Sequence, residues 1–225
     1  MKSFENWKYE EVELTFGIKQ NENLPLMIEW LQSEEKITEE EEKIILRLQK
    51  RLKRFANAWN EEDLKVFFVI PLIDVVDFYE EGKFRAFTEA TIGAELKDIH
   101  NQEINLRGRV ELLVATGEQD PRTPFFFLNE YKPQLKSQKD PQGQLLIAML
   151  TAQAKNEAYH IPIYGLYTIG RNWYFVVLER KEYAVSRQFD ATEDDIWQIV
   201  AILKKAKLYI EENYAKLINI SKKQI

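Results

Sequence analysis

The sequence predicts an α/β protein in which a central mixed β-sheet is flanked by helices and preceded by a helical N-terminal extension. Two segments repeat apolar residues at helical spacing: Ile44, Ile45, Leu48, Leu52 and Phe55 early in the chain, and Ile196, Ile199, Val200, Leu203, Leu208 and Ile210 near its end. Between them the period changes. From Lys83 to Glu179 the chain holds alternating or wholly apolar runs separated by Gly, Pro and Asp, which is the pattern of strands. A further helical stretch interrupts those strands at 140–159, and helix between strand runs is the order of a layered α/β fold. The chain has 225 residues, 45% of them hydrophobic. That suffices for one sizeable core, expected at 59–225, with the helical extension at 1–58.

Residues 1–35 mix Trp7, Trp30 and acids and predict short helices. Thr38 is a helix N-cap followed by Glu39–Glu42, acids that suit the positive end of the helix dipole, and Lys50–Arg54 complement the other end. A second helix opens at Asn60, again with acids behind the cap, and Pro71 within its apolar run is expected to kink or end it. The stretch 83–96 reads as a strand with Phe84, Ala86, Thr88, Ala90 and Ile92 on one side. In INLRGRVELLVATG a second strand is bounded by Gly108 and Gly117, and a turn-rich loop follows. Residues 124–133, PFFFLNEYKP, are apolar at successive positions and then charged, which predicts a central strand buried on both faces. After an exposed polar stretch at 136–140, Asp140-Pro141 sets a cap and first helical position, and Leu145, Leu146, Met149 and Ala152 form a stripe for burial. Two strands joined by a tight turn at Gly170–Asn172 form a hairpin, 183–189 adds a short strand, and Thr192 opens the last helix.

Composition excludes several classes. There is no cysteine, hence no disulfide and no cysteine zinc site, in keeping with a reducing cytoplasm. Only His100 and His160 are present, too few for a histidine-rich metal centre. No apolar run approaches the roughly 18–20 residues that span a bilayer, and the N-terminus lacks the basic-then-apolar pattern of a secretory signal. The net charge of −6 and pI near 5.3 argue against a uniformly basic nucleic-acid binder, though not against a local patch. Lys50–Arg54 can touch phosphate, and its plain alternative is a solvated helix face. Oligomeric state is left open, a homodimer included.

Three charges sit where apolar residues are expected. Glu111 interrupts the strand RVELLVA, and Glu130 and Lys132 flank Tyr131 at the end of the central strand. Residues two apart on a strand share a face, so Glu130 and Lys132 should lie side by side. If the strand of Glu111 pairs with theirs, two carboxylates and an ammonium meet. Mg²⁺ takes oxygen ligands and needs only one or two carboxylates; a bound cation lowers the pKa of its water and stabilises phosphoryl charge, and a neighbouring lysine orients that water or the developing charge. A surface Glu-x-Lys pair with no chemical role is the plainer reading of the motif by itself.

An acid on one strand, a loop, an apolar strand ending in Glu-x-Lys, then a helix bearing Gln144 resembles the PD-(D/E)xK nuclease superfamily. Asn60-Glu61-Glu62-Asp63-Leu64-Lys65, with Pro71 beyond, resembles the first helix of the nuclease domain of Type I restriction subunits. The resemblance covers residues 60–180. It implies a restriction endonuclease-like core, Mg²⁺ or Mn²⁺ as cofactor and DNA as substrate. It implies Glu61 as the helix acid completing the metal shell through water, Glu111 and Glu130 as metal ligands together with the Tyr131 carbonyl, Lys132 as the catalytic lysine, and Gln144 contacting the site. The chain departs from the pattern at Glu111, where the family has Asp, and at Val110, which is not Pro. Loss of activity with retention of the fold, leaving a protein that binds a protein or nucleic acid partner, is the alternative. Elsewhere, GLYTIG lacks the spacing of a phosphate loop, Ser186 and His160 have no nucleophile setting, and Tyr164, Tyr167, Trp173, Tyr174 and Phe175 are expected to pack rather than bind.

Overall fold

A computed structural model describes residues 2–132, 140–156 and 161–222; His160 and most of the polar stretch expected at 136–140 lie outside them. The helices are α1 (Tyr9–Phe16), α2 (Pro25–Leu31), α3 (Glu39–Phe55), α4 (Glu61–Leu64), α5 (Ile70–Asp74), α6 (Pro141–Lys155) and α7 (Asp195–Lys222). The strands are β1 (Lys19–Gln20), β2 (Tyr79–Glu80), β3 (Phe84–Lys97), β4 (Glu103–Thr116), β5 (Arg122–Lys132), β6 (Ile163–Ile169), β7 (Asn172–Glu179), β8 (Glu182–Val185) and β9 (Phe189–Asp190). They form one mixed sheet in the order β1-β8-β7-β6-β5-β4-β3-β2, with β9 beside β7. The α/β class with a central mixed sheet is thus observed. No helix among the described residues is long and apolar enough to cross a membrane.

The pivotal pairing is β5 with β6, which is parallel. A parallel neighbour in sequence requires a crossover, and α6 supplies it, packing on β5, β3 and β6. Its stripe is wider than expected: every residue from Gly143 to Gln153 is buried. Two hydrophobic clusters result. One lies under α2, α3, α4, α5 and α7 and includes Trp30, Leu52, Phe68, Phe127, Tyr131 and Leu203. The other lies under α1 and α6 and includes Phe4, Trp7, Phe16, Leu113, Leu128 and Leu146. The first 58 residues feed both clusters, and β1 crosses between them as the edge strand next to β8.

The predicted caps Thr38 and Asn60 form full capping boxes, with Glu41 and Asp63. Pro71 does not end its helix. Residues Lys65–Val69 widen into a π turn, in which the Ile70 N–H reaches the Lys65 carbonyl, and the chain continues through Pro71 into α5. A π turn makes room for a ring that lacks a donor and would crowd the preceding turn. Thr192 is not the cap of α7: its N–H and Oγ1 both donate to Asp190 Oδ1, at 2.9 and 2.6 Å. Leu208 falls off the buried stripe of α7 at 37% exposure, and on α3 so do Ile44 and Phe55, each at 38%.

The single alternation expected of β3 fails at Glu89, whose φ is +54°. Before it Phe84 packs into the α7-side cluster; after it Ala90, Ile92 and Leu96 pack on the α6 side, and Thr88 is exposed. β4 changes phase at the facing position, since Val110 joins the α6-side cluster and Leu112 the other. Because both strands slip together, the ladder keeps its register, Thr88 opposite Leu112 and Ala90 opposite Val110.

α6 is seated on the N-terminal segment through Gly143. A Cβ there would lie 2.5 Å from the Trp7 carbonyl oxygen and 2.6 Å from the Tyr9 nitrogen, backbone atoms that cannot step aside. Asp140 Oδ2 accepts from the Tyr9 N–H at 2.8 Å in the same junction. Gly143→Ala is expected to cost about 1–3 kcal/mol, read as a lower urea midpoint with an unchanged slope.

Candidate active site

β5 is flanked by β4 and β6 and covered on both faces, so its last residues are desolvated whatever their chemistry: Asn129, Glu130, Tyr131 and Lys132 are 0, 2, 1 and 5% exposed. Leu128 faces the α6-side cluster and Phe127 and Tyr131 face the other, which by alternation turns Glu130 and Lys132 toward α6. Their side chains meet, with Lys132 Nζ 2.5 Å from Glu130 Oε1. The other oxygen of Glu130 accepts from Gln144 Nε2 at 2.8 Å. The capping box at Asn60 fixes Glu61 at the start of α4, and its Oε1 lies 3.4 Å from Lys132 Nζ. The ammonium also donates to the Tyr131 carbonyl at 3.1 Å. Four predicted residues, Glu61, Glu130, Lys132 and Gln144, therefore form one hydrogen-bonded set.

Glu111 is held differently. The ladder of β4 and β5 places Leu112 opposite Asn129, so one step further sets Glu111 across from Glu130. Its Oε2, however, accepts from the Tyr131 hydroxyl at 2.5 Å, and Lys65 Nζ lies 3.8 Å away. Lys65 is bound more closely by Glu89, at 2.5 Å, and also approaches Glu62 at 3.7 Å and the Tyr131 ring at 5.6 Å. Glu89 in turn pairs with Arg109. The slip shared by β3 and β4 thus brings two facing acids, Glu89 and Glu111, onto one lysine. Sequence reasoning missed Glu89 because its positive φ takes it out of the strand pattern. The available signal was its position: pairing 90 with 110 and 88 with 112 puts 89 opposite 111.

Burial sets the electrostatics. Loss of hydration pushes the Glu130 carboxyl up to about 7, opposed by Lys132 and assisted by Glu111 and Glu61. Burial also pulls the Lys132 ammonium down, but Glu130 and Glu61 outweigh it and the net shift is upward. Burial and the bond to Glu111 push the Tyr131 phenol far above its ordinary range. A buried ion pair is a poor way to stabilise a fold compared with apolar residues of the same volume. Perturbed charges converging at the end of a central strand are found at functional sites and also in structural ion-pair networks.

The donors suit a hard divalent cation in kind: two carboxylates, a backbone carbonyl, and Gln144 Oε1, which is buried without a hydrogen-bond partner. Glu111, Glu130 and the Tyr131 carbonyl would hold it. In the structure Lys132 and the Tyr131 hydroxyl engage these same oxygens. Among the described residues no group of three or more acidic or histidine side chains is gathered closely enough to hold a metal. The hairpin aromatics pack, as expected: Tyr167 stacks on Tyr174 with ring centroids 4.7 Å apart, and Trp173 and Phe175 are fully buried.

The position of Glu130 has a measurable consequence in metal-free protein. Its folded pKa, about 7, exceeds the ordinary 4.5, so the neutral carboxyl favours folding. That contribution is complete below about pH 4.5 and is lost as pH rises through 7. Relative to Glu130→Gln, the native chain should lose on the order of 2–3 kcal/mol across this window, measured as diverging urea midpoints in EDTA. No protein-family model matches this chain, and no curated protein is significantly similar to it, so its site has to be read from its own chemistry.

Proposed function

We propose that this chain is a metal-dependent nuclease that hydrolyses DNA phosphodiester bonds, built on a restriction endonuclease-like core. The observation that carries the reading is the buried Glu130–Lys132 pair at the end of β5, with Gln144 and Glu61 converging on it. The order α4–α5, β3, β4, β5, α6, β6, with β3 to β5 antiparallel and β6 parallel to β5, supports the same core.

Held by Glu111, Glu130 and the Tyr131 carbonyl, a Mg²⁺ or Mn²⁺ would acidify a water and stabilise charge on a phosphoryl oxygen. The residues of this chain do the rest. Lys132, an ammonium held in place by Glu130 and Glu61, donates to the water or to a non-bridging oxygen as charge develops there. Gln144 fixes the Glu130 carboxylate through one oxygen and leaves the other free to exchange its partner. Glu61, whose side chain is 44% exposed, forms the solvent side of the set and accepts a hydrogen bond from an incoming water. Water oxygen bonds to phosphorus as one of its protons passes to solvent, the ester P–O bond breaks, and the leaving oxygen takes up a proton from solvent.

A second reading, a non-catalytic member of this fold that binds a partner, draws on the internal saturation of the acids: both oxygens of Glu130 and Oε2 of Glu111 already accept from protein donors. The two separate experimentally. The nuclease reading expects Mg²⁺- or Mn²⁺-dependent cleavage of plasmid or single-stranded DNA, reduced at least about 100-fold in Lys132→Ala, and a Mn²⁺-induced rise in melting temperature that Glu130→Ala abolishes. Absence of cleavage with either metal, together with no thermal shift, selects the partner-binding reading.

A further inference from the structure

The C-terminal end of α3 and the π turn carry an aromatic ladder on the surface. Phe55 stacks on Trp59, with centroids 5.9 Å apart at 22°, and Trp59 leans on Phe67 at 6.0 Å. Phe55 and Phe67 are 38% and 42% exposed, and the neighbouring Val66 is 48% exposed. Guanidinium groups border the rings: Arg54 lies 5.1 Å from the Phe55 centroid and Arg51 lies 5.9 Å from that of Phe67. Arg51, Lys53 and Arg54 are exposed and, like Lys50, form no ion pair among the described residues. The acids just beyond are each occupied: Asp63 in its capping box, Glu62 facing Lys65, and Glu61 facing Lys132.

We infer that this surface binds a single-stranded stretch of nucleic acid and leads it to the candidate active site. Phe55 and Phe67, exposed on either side of the half-buried Trp59, offer bases apolar ring surface, and cations that form no ion pair among the described residues lie alongside to offer phosphates a counter-charge; together they are the means by which unpaired strands are held without sequence readout. A duplex keeps its bases stacked inside and cannot use the rings. The site follows directly, because Trp59 precedes Glu61 by two residues, at most about 7 Å of chain. The inference rests on the nuclease reading for its destination, while the binding surface stands by itself.

The test is fluorescence anisotropy of a fluorescein-labelled oligothymidylate of about 15 nucleotides, titrated with the full chain in EDTA so that no cleavage intervenes. The oligouridylate and a blunt duplex of the same length serve as comparisons. The expected result is tighter binding of the single strands than of the duplex. Phe55→Ser with Phe67→Ser should weaken it by about tenfold or more, and Arg51→Gln with Arg54→Gln should flatten its salt dependence. Both pairs are exposed, and an unchanged urea midpoint shows that the fold survives. Single-strand binding without metal-dependent cleavage keeps the surface and removes the nuclease. Three outcomes overturn the inference: no preference for single strands, affinity unmoved by the serine pair, or a serine pair that alters only the oligomeric state, which would make the patch an interface between copies of the chain.

Discussion

The constraint on which the rest depends is the parallel placement of β6 beside β5. A parallel pair cannot close through a short turn, so the chain must leave the sheet, cover it with α6 and return. That crossover buries β5 on the α6 face, while α4, α5 and α7 bury the opposite face. Any charge at the end of β5 is then dehydrated, and it persists only with a partner. Glu130 and Lys132 are each other's partner, and the helix that buries them contributes Gln144 to the spare oxygen. Fold and site are therefore one problem: the element that makes the sheet mixed also makes the carboxyl weakly acidic.

A second device sits on the other side of the same strand. β3 and β4 change phase together at Glu89 and Glu111, so that two acids face Lys65 and Tyr131 while the ladder beyond them stays in register. A slip in one strand alone would move every later side chain to the wrong face; a matched slip turns both strands over together, so that cross-strand partners still share a face. Tyr131 links the two halves, with its hydroxyl on Glu111 and its carbonyl on the ammonium of Lys132.

The N-terminal residues are structural partners of this arrangement. Phe4 and Trp7 pack beneath α6, Trp30 donates from its indole to the Ile202 carbonyl at 2.8 Å, and α3 lies along the cluster that supports α4. α3 ends at Phe55, and the chain then reaches Asn60, the cap that sets Glu61 at the start of α4. The placement of Phe55 shows why periodicity alone misleads here: it shares the apolar spacing of Ile45, Leu48 and Leu52, yet it is 38% exposed and stacks on Trp59.

By itself the sequence determined what local chemistry can determine. Thr38 and Asn60 announced their helices, successive apolar positions announced a buried β5, and alternation put Glu130 and Lys132 on one face. It also determined that Gln144 lies in the first turn of the helix following that strand. The tertiary structure decided what depends on register and long-range packing: that Pro71 is absorbed by a π turn, that Glu89 lies beside Glu111, that Glu111 is held by Tyr131 and Lys65, and that Glu61 approaches Lys132 across 71 positions of chain. Caps and periods are written within a few residues of where they act. A contact between distant strands is fixed only when the twist of the sheet and the burial on both its faces are satisfied together.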